Sequence, residues 1–404
     1  MKPTRLFDTD VPPPTERVIL AGLLTSGTDP ELFEIDMKEM RMLCATAGAT
    51  IAQTVVQRRD APVASTYLGP GKLAEICELM KQHKCKTVII DAQLSPGQVR
   101  NIEKIVEGKV IDRAQLILDI FAKHARTNEA RIQVELAQMK TLYPRLTHAW
   151  THFSQQVGGI GTKGPGEKQL EVDRRIIQKK ISDLNDRLKT IEKSRATQRK
   201  SRVGEFKVTL VGYTNVGKSS LLNALSGADV LVQNRLFATL DTATRRTFIP
   251  GAGEIVISDT VGFLRKLPPH LVASFKGTLE VVSQADLLLI VMDAASPWAA
   301  QQLATVNDVL ADLSAGAIPR MLLFNKIDLV TDPVERKALL VANPDALLVS
   351  ALSESDMALV KSRIAEVMQS YRKEAAIADI IAKKTQELTG WEEEKSGLPW
   401  DNKE

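Results

Sequence analysis

Eight consecutive residues match the phosphate-binding pattern Gly-x-x-x-x-Gly-Lys-Ser. They are Gly212, Tyr213, Thr214, Asn215, Val216, Gly217, Lys218 and Ser219. In such a loop, small residues let backbone N–H groups face phosphate oxygens at the N-terminus of a helix. We expect Lys218 to neutralise β- and γ-phosphate oxygens and Ser219 to place its hydroxyl on Mg²⁺, a cation that takes oxygen ligands. The loop therefore predicts a nucleotide site.

A second motif closes an apolar segment and consists of Asp259, Thr260, Val261 and Gly262. We expect the Asp259 carboxylate to orient the Mg²⁺ shell and the Gly262 N–H to reach the γ-phosphate. Loss of that phosphate would release the segment that follows. The two motifs together predict a nucleotide-dependent switch.

A third motif indicates which base is bound. Asn325, Lys326, Ile327 and Asp328 follow another apolar strand. The Asp328 carboxylate can accept two N–H bonds from the edge of guanine, a donor pair that adenine lacks. Ser350 and Ala351 would close over the guanine carbonyl through backbone N–H groups, and Leu352 belongs to the same expected contact set. GTP or GDP with Mg²⁺ is thus the expected ligand.

The segment between the phosphate loop and the second motif would form a first switch. Its candidate residues are Phe237, Ala238, Thr239, Leu240 and Asp241. A mobile switch at this place supplies a threonine ligand to Mg²⁺. Thr242 and Thr244 lie near Thr239, and spacing alone does not choose among the three.

Phe263 follows Gly262 at the position where Ras-type switches carry a glutamine that orients the attacking water. A benzyl ring cannot orient water by hydrogen bonding. The sequence therefore predicts slow intrinsic GTP hydrolysis that a partner accelerates, and Phe263 can also simply pack the second switch. The candidate catalytic set is Lys218, Thr239, Gly262 and Phe263.

The pattern of strands and helices divides the chain into five parts. We predict an N-terminal extension (1–16), an α/β domain (17–127), a helical arm (128–203), a GTPase domain (204–370) and a C-terminal helix or tail (371–404). Both larger domains alternate β-rich and helical runs, which is typical of parallel sheets covered by helices. The expected fold is α/β: a small parallel α/β domain with a helical hairpin arm, followed by a P-loop GTPase (Ras-like) domain.

Apolar spacing in the arm predicts two packed helices, because residues three, four or seven positions apart trace a heptad seam. They are Leu170, Ile177, Ile181, Leu184, Leu188 and Ile191. An antiparallel hairpin would place residues 147–167 at its tip. That connection is rich in glycine and also carries basic and aromatic residues.

Positive charge is concentrated in the arm. Residues 168–202 contain twelve Lys or Arg against five Asp or Glu, whereas the whole chain has a net charge of +4. Such a strip is either a solvated helix face or the electrostatic footprint of a phosphate backbone partner. Because the charge lies beside an aromatic-containing tip, we favour a tip that binds structured RNA over a disordered tip that only connects the two helices.

Composition limits the other possibilities. A chain of 404 residues is too long for a single hydrophobic core. Its 25% charged and 44% hydrophobic residues are typical of a globular protein. Apolar runs such as Leu287 to Met292 fall far short of the roughly 20 residues that a membrane span needs. No secretory signal pattern is visible, and Cys44, Cys77 and Cys85 lack metal-ligand spacing. We expect a cytoplasmic monomer without a membrane span.

Several stretches make the chain similar to the HflX family of ribosome-associated GTPases. They are Leu94 to Pro96, Arg100-Asn101, Val110 to Arg113, Leu116 to Ala122, Gln133 to Gln138, Gly158 to Glu167, Leu170 to Arg175 and Phe237 to Asp241. The resemblance implies a GTPase domain with Mg²⁺, Thr239 as its switch ligand, and binding at the large ribosomal subunit and its rRNA. It also implies a role in ribosome splitting, rescue or anti-association.

Two other functions remain open at this point. One is a GTP-regulated RNA-binding adaptor in ribosome assembly or quality control that lacks splitting activity. The other is a GTPase serving RNA modification, which would require a second catalytic constellation. No Cys/His cluster or paired-carboxylate motif of that kind stands out in the sequence.

Overall fold

The computed structural model describes residues 16–149, 165–200, 205–227, 237, 243–266, 281–373 and 377. They form an N-terminal α/β unit with a two-helix arm, followed by a second α/β unit that carries the phosphate loop. The expected fold class is confirmed. None of the helices described is both long and apolar enough to cross a bilayer.

The N-terminal domain is a four-stranded parallel sheet with strand order β2-β1-β3-β4. Its elements are β1 (Glu16–Thr25), α1 (Pro30–Ala47), β2 (Ala49–Arg59), α2 (Pro70–His83), β3 (Thr87–Ile90), α3 (Pro96–Val106), β4 (Lys109–Asp112) and α4 (Arg113–His124). In β1, Val18 and Leu20 join one apolar cluster while Ile19 and Ala21 join another. Alternate side chains therefore serve the two helix-covered faces.

Local signals explain where two helices begin. Ser95 accepts a hydrogen bond from Gln98 N at 3.3 Å, Gln98 Oε1 accepts one from Ser95 N at 2.9 Å, and Pro96 occupies the first turn. Asp112 caps α4 by accepting from Gln115 N at 2.8 Å. This cap makes Arg113, a buried residue, the first residue of α4.

The arm consists of α5 (Asn128–Ala149) and α6 (Pro165–Lys200). Four predicted seam residues of α6 belong to an apolar cluster with Ile132, Leu136 and Met139 of α5; they are Ile181, Leu184, Leu188 and Ile191. The helices extend into both ends of the expected connection 147–167. Its remaining residues, 150–164, lie outside the described part of the chain.

The second domain contains a six-stranded sheet with strand order β10-β9-β8-β5-β7-β6. Its elements are β5 (Phe206–Gly212), α7 (Lys218–Ser226), β6 (Ala243–Ile249), β7 (Gly253–Asp259), β8 (Leu287–Asp293), α8 (Ala299–Asp312), β9 (Arg320–Asn325), α9 (Pro333–Ala342) and β10 (Leu347–Leu348). Residues 281–283 and 354–373 (α10) are also helical. Of the strands described, β6 alone runs antiparallel to its neighbour.

Parallel strands bring the motifs together. β5, β7 and β9 end at Gly212, Asp259 and Asn325, so the three loops that follow meet at one edge of the sheet. That edge is where ligands bind in open α/β sheets. The sheet therefore assembles one site from residues more than one hundred positions apart in the sequence.

The cysteines behave as ordinary thiols. Cys44 and Cys85 are buried and Cys77 is half-buried, and all three are free. Burial raises the pKa of the Cys44 thiol to about 12.

Candidate nucleotide site

The phosphate loop connects β5 to α7, and its shape depends on glycine. Gly217 has a φ of +93°, in the left-handed region, and a Cβ there would lie 2.3 Å from Asn325 Nδ2. Glycine alone meets both conditions without strain. The first N–H groups of α7 then face away from the helix, where a phosphate can accept from them.

Lys218 extends back over the loop. Its ammonium donates to the carbonyl oxygens of Tyr213 at 2.7 Å and Gly212 at 3.3 Å, and only 6% of the residue is exposed. Burial lowers the pKa of Lys218 to about 8, and the Asp259 carboxylate offsets part of that effect. Phosphate oxygens would favour the charged ammonium further.

Ser219 and Asp259 place oxygen donors at one point. The Ser219 hydroxyl donates to Asp259 Oδ2 at 2.6 Å, joining the first turn of α7 to the end of β7. A hydroxyl and a carboxylate are the hard donors that Mg²⁺ takes, and Mg²⁺ sites commonly use few protein ligands plus phosphates. Across the described residues, no group of three or more His, Cys, Asp or Glu offers a denser metal site. The donor set fits magnesium.

Thr260 and Val261 have packing roles. The Thr260 hydroxyl donates to the Leu210 carbonyl at 2.7 Å and the residue is fully buried. Val261 is also buried, in the same apolar cluster as Leu210. They hold the end of β7 against β5, which fixes the position of Gly262.

The second switch segment lies directly along the phosphate loop. Phe263 N donates to the Gly212 carbonyl at 3.0 Å, and Thr214 N donates to the Phe263 carbonyl at 2.9 Å. A Cβ on Gly262 would lie 2.7 Å from Thr214 Cα and 2.9 Å from Lys218 Nζ. Gly262 therefore has backbone access to the phosphate site that any larger residue would lose.

The Phe263 ring is buried in an apolar cluster and only 3% of the residue is exposed. Its neighbours in that cluster include Val211 and Val282. The ring thus packs the second switch against the domain core. Its benzyl side chain cannot hold a water molecule by hydrogen bonding.

Asn325 joins the base-recognition loop to the phosphate loop. Its amide donates to the Val216 carbonyl at 2.8 Å, and its Oδ1 accepts from Ala351 N at 3.0 Å. Lys326 adds a second link, donating to the Asn215 carbonyl and to Asp293, both at 2.7 Å. The phosphate loop and the base-recognition loop are therefore held in a fixed position relative to each other.

Asp328 lies on a short 3₁₀ turn, residues Ile327–Leu329, that follows Lys326 in the left-handed conformation. Its Oδ1 accepts from the Ser350 hydroxyl at 2.6 Å, and the residue is exposed. Leu352 N donates to the same hydroxyl at 3.3 Å. The serine thus orients the carboxylate while leaving it open to a base.

Part of the expected first switch cannot be placed. Ala238, Thr239, Leu240 and Asp241, together with the alternative Thr242, lie outside the described residues. Phe237 is buried and packs edge-to-face on Phe121 of α4 at 4.6 Å. Thr244 lies in β6, where its hydroxyl shares a hydrogen bond with Ser258 at 3.1 Å.

Three buried charged residues of the N-terminal domain lie near the phosphate loop, and no sequence motif predicted them. Glu39, Asp91 and Arg113 of the N-terminal domain are buried, and the Glu39 carboxylate accepts from the Tyr213 hydroxyl. Arg113 pairs with both carboxylates. Of the three, Arg113 alone lies in a stretch that carries the family resemblance, Val110 to Arg113.

Three family models match most of the span from residue 34 to residue 326. Residues 34–122 match "GTP-binding GTPase N-terminal", residues 124–202 match "GTP-binding GTPase Middle Region", and residues 207–326 match "50S ribosome-binding GTPase". These bounds follow the N-terminal sheet, the arm and the nucleotide domain in order.

Individual proteins agree with the models. The GTPase HflX of Flavobacterium psychrophilum is 45% identical over 313 residues, covering 78% of this chain and 76% of that protein. The GTPase HflX of Escherichia coli is 46% identical over 299 residues, covering 74% and 70%. The solved complex of SsGBP with GDP has a TM-score of 0.51 at 24% identity, covering 88% of this chain and 99% of that one. That last likeness concerns the fold.

Proposed function

The chain belongs to the HflX family of GTPases, and on that basis we propose that it hydrolyses GTP slowly and docks on the large ribosomal subunit to split or rescue stalled ribosomes. In this account, contacts with rRNA supply the binding energy. The bound nucleotide sets which conformation docks. We also propose that it acts as a monomer in the cytoplasm.

One observation carries the nucleotide part of the proposal: Asn325 bonds to the phosphate loop and to Ala351 at once. This arrangement supports a fixed distance between the Asp328 carboxylate and the Lys218 loop. A ligand must therefore present a guanine edge and a phosphate chain together. GTP and GDP have that shape, and adenine nucleotides lack the donor pair for Asp328.

Magnesium would be held by Ser219 and by the proposed switch ligand Thr239, and the Asp259 carboxylate would orient its shell. When bound, it neutralises charge on the β- and γ-phosphates. Lys218 neutralises the same oxygens from the loop side, and the Gly262 N–H can donate to the γ-phosphate. These contacts favour the triphosphate over the diphosphate.

Burial of the Phe263 ring supports a low intrinsic rate. A water-positioning glutamine is absent from that place, so docking must reposition another polar group or supply one. We propose that the ribosome accelerates hydrolysis in this way. Hydrolysis then resets the protein to the state that docks weakly.

Two observations, one in the nucleotide domain and one in the arm, support the large ribosomal subunit as the partner. The matched model for residues 207–326 is described as a 50S ribosome-binding GTPase. Exposed cationic residues line α6; they are Arg174, Arg175, Lys179, Lys180, Arg187, Lys189 and Lys193. Such a strip neutralises RNA phosphates and steers association.

Gradient sedimentation of intact ribosomes tests this proposal. With GTP or a slowly hydrolysed analogue, the protein should convert intact particles into separated subunits, and with GDP it should not. Binding to ribosomes without dissociation would instead support the adaptor function. Failure to bind ribosomes with any nucleotide would overturn both.

A further inference from the structure

A cavity lies between α1 of the N-terminal domain and the start of α8, beside the phosphate loop. Its volume is about 280 Å³, and residues 213–216 of the loop line one side of it. Sites for small molecules commonly measure roughly 300–1,000 Å³, so this space suits one compact group. Lys38, Met42 and Pro297 also line the cavity and are exposed, so it opens to solvent.

Hydrogen-bond acceptors predominate in the lining of the cavity. The side chains there that carry an oxygen are Glu39, Thr214, Asn215, Asp293, Ser296 and Gln302. Two of these oxygens, Thr214 Oγ1 and Gln302 Oε1, are buried and have no hydrogen-bond partner among the described residues. Only 6% of Thr214 is exposed. Because a buried acceptor without a donor lowers stability, the cavity favours a ligand that brings N–H donors.

An aromatic face beside the cavity already holds a positive charge. Lys38 Nζ lies 4.9 Å from the ring centroid of Trp298, the residue that precedes α8. An indole face attracts cations, and a planar guanidinium can also stack on it, which an ammonium cannot. Because Lys38 is exposed, its flexible side chain can move its ammonium into water when another cation takes that place.

Other classes of ligand fit the lining less well. Of the described residues that line the cavity, Lys38 alone is basic, whereas Glu39 and Asp293 are acidic, so an anion would be repelled by two carboxylates. A nucleobase could stack on Trp298, but its edge presents acceptors as well as donors. A guanidinium has five N–H donors, no acceptor and a flat face. It therefore matches both the unpartnered oxygens and the indole.

We propose that this cavity binds an arginine side chain of a partner protein. The guanidinium stacks on Trp298 in place of Lys38 and donates to the oxygens of Thr214 and Gln302. This contact goes beyond the proposed function, because it gives the molecule a protein-binding point that is separate from the guanine site and from the cationic arm.

Fluorine NMR of the full chain labelled with 5-fluorotryptophan tests the proposal in the absence of nucleotide. The chain has four tryptophans, and Trp298→Phe identifies the signal of Trp298. N-acetyl-arginine amide should shift that signal saturably, with a dissociation constant of about 1 mM. N-acetyl-lysine amide should bind at least about fivefold more weakly, because an ammonium lacks the planar fork of donors.

Two variants should change the affinity for the arginine amide in opposite directions. Lys38→Met frees the indole face and removes a like charge, so the affinity should rise about threefold or more. Gln302→Leu removes an acceptor, so the affinity should fall about threefold or more. The matched controls are Gln301→Leu, at the exposed neighbouring position in α8, and Lys337→Met on α9, and both should leave the affinity unchanged.

Weaker binding in Lys38→Met would overturn the proposal, because the cavity would then favour an anion. Equal affinity for the two amides, or no saturable shift with either, would also contradict it. A larger shift with adenosine than with the arginine amide would assign the cavity to a nucleobase instead. Since the titration contains no GTP, none of these results depends on the nucleotide site.

Discussion

The side-chain amide of Asn325 donates to the Val216 carbonyl at 2.8 Å, which ties the base-recognition loop to the phosphate loop. The same side chain accepts from Ala351 at 3.0 Å. Because Asn325 is only 2% exposed, water cannot readily replace either bond. One buried amide thus connects three loops of the site by hydrogen bonds.

Removal of that amide should weaken binding of every guanine nucleotide. Asn325→Ala leaves the buried Val216 carbonyl and the half-buried Ala351 N–H without their partner, so GDP and GTP-analogue affinities should both fall by about 10- to 100-fold. Calorimetric titration measures both. Asn343→Ala, which removes a bond to the Leu339 carbonyl at the end of α9, is the control and should bind normally. Unaltered affinity in Asn325→Ala would contradict the coordinating role.

Substitution of the Asp328 carboxylate should change which nucleotide base the site prefers. Asp328→Asn replaces an acceptor pair by a mixed amide, so GTP affinity should fall by about 10- to 100-fold. Affinity for xanthosine triphosphate should rise, because xanthine carries a carbonyl where guanine has an amino group. Competition binding with both nucleotides gives the ratio. Asp332→Asn keeps the cap of α9 and is the matched control; an equal guanine preference in both variants would refute the assignment.

A methyl group on Gly262 should disturb the γ-phosphate contact selectively. In Gly262→Ala the new Cβ would meet Thr214 Cα at 2.7 Å, so the segment must move away from the loop. GTP-analogue affinity should then fall by about tenfold or more, while GDP affinity changes little. Gly316→Ala, where a Cβ meets nothing within 4 Å, should be neutral. Equal weakening of GDP and analogue would argue against a γ-phosphate role.

Charge reversal on the arm should affect ribosome binding alone. Lys179 and Arg187 are exposed on α6, and the double variant Lys179→Glu with Arg187→Glu should bind ribosomes at least about tenfold more weakly at low salt. The slope of the logarithm of affinity against the logarithm of salt concentration should decrease in magnitude by about one for each RNA phosphate that is no longer neutralised. Lys337→Glu with Lys373→Glu makes the same charge change on the nucleotide domain. Equal effects of the two pairs would mean that only net charge matters.

The sequence predicted the elements whose signal is local. The phosphate loop and the heptad positions such as Leu184 each depend on neighbours within one or two turns, and the structure has them as expected. No sequence motif indicates β6, because this edge strand from Ala243 to Ile249 exposes residues on both faces and lacks period-two alternation.

Contacts between distant residues could not be predicted. Glu39 lies 74 positions from Arg113 and 174 from Tyr213. Each of the three fits an ordinary local interpretation, as a helical acid, a helix-start base or a loop residue. Folding of the N-terminal domain brings Glu39 and Arg113 together, and docking of the two domains adds Tyr213; one sequence carries no record of either pairing.

Cosedimentation with purified large ribosomal subunits tests the central claim most directly. The protein should pellet with subunits when loaded with a slowly hydrolysed GTP analogue, and this association should weaken steeply as salt rises. With GDP most of it should remain in the supernatant. Equal pelleting with both nucleotides, or none with either, would contradict the account.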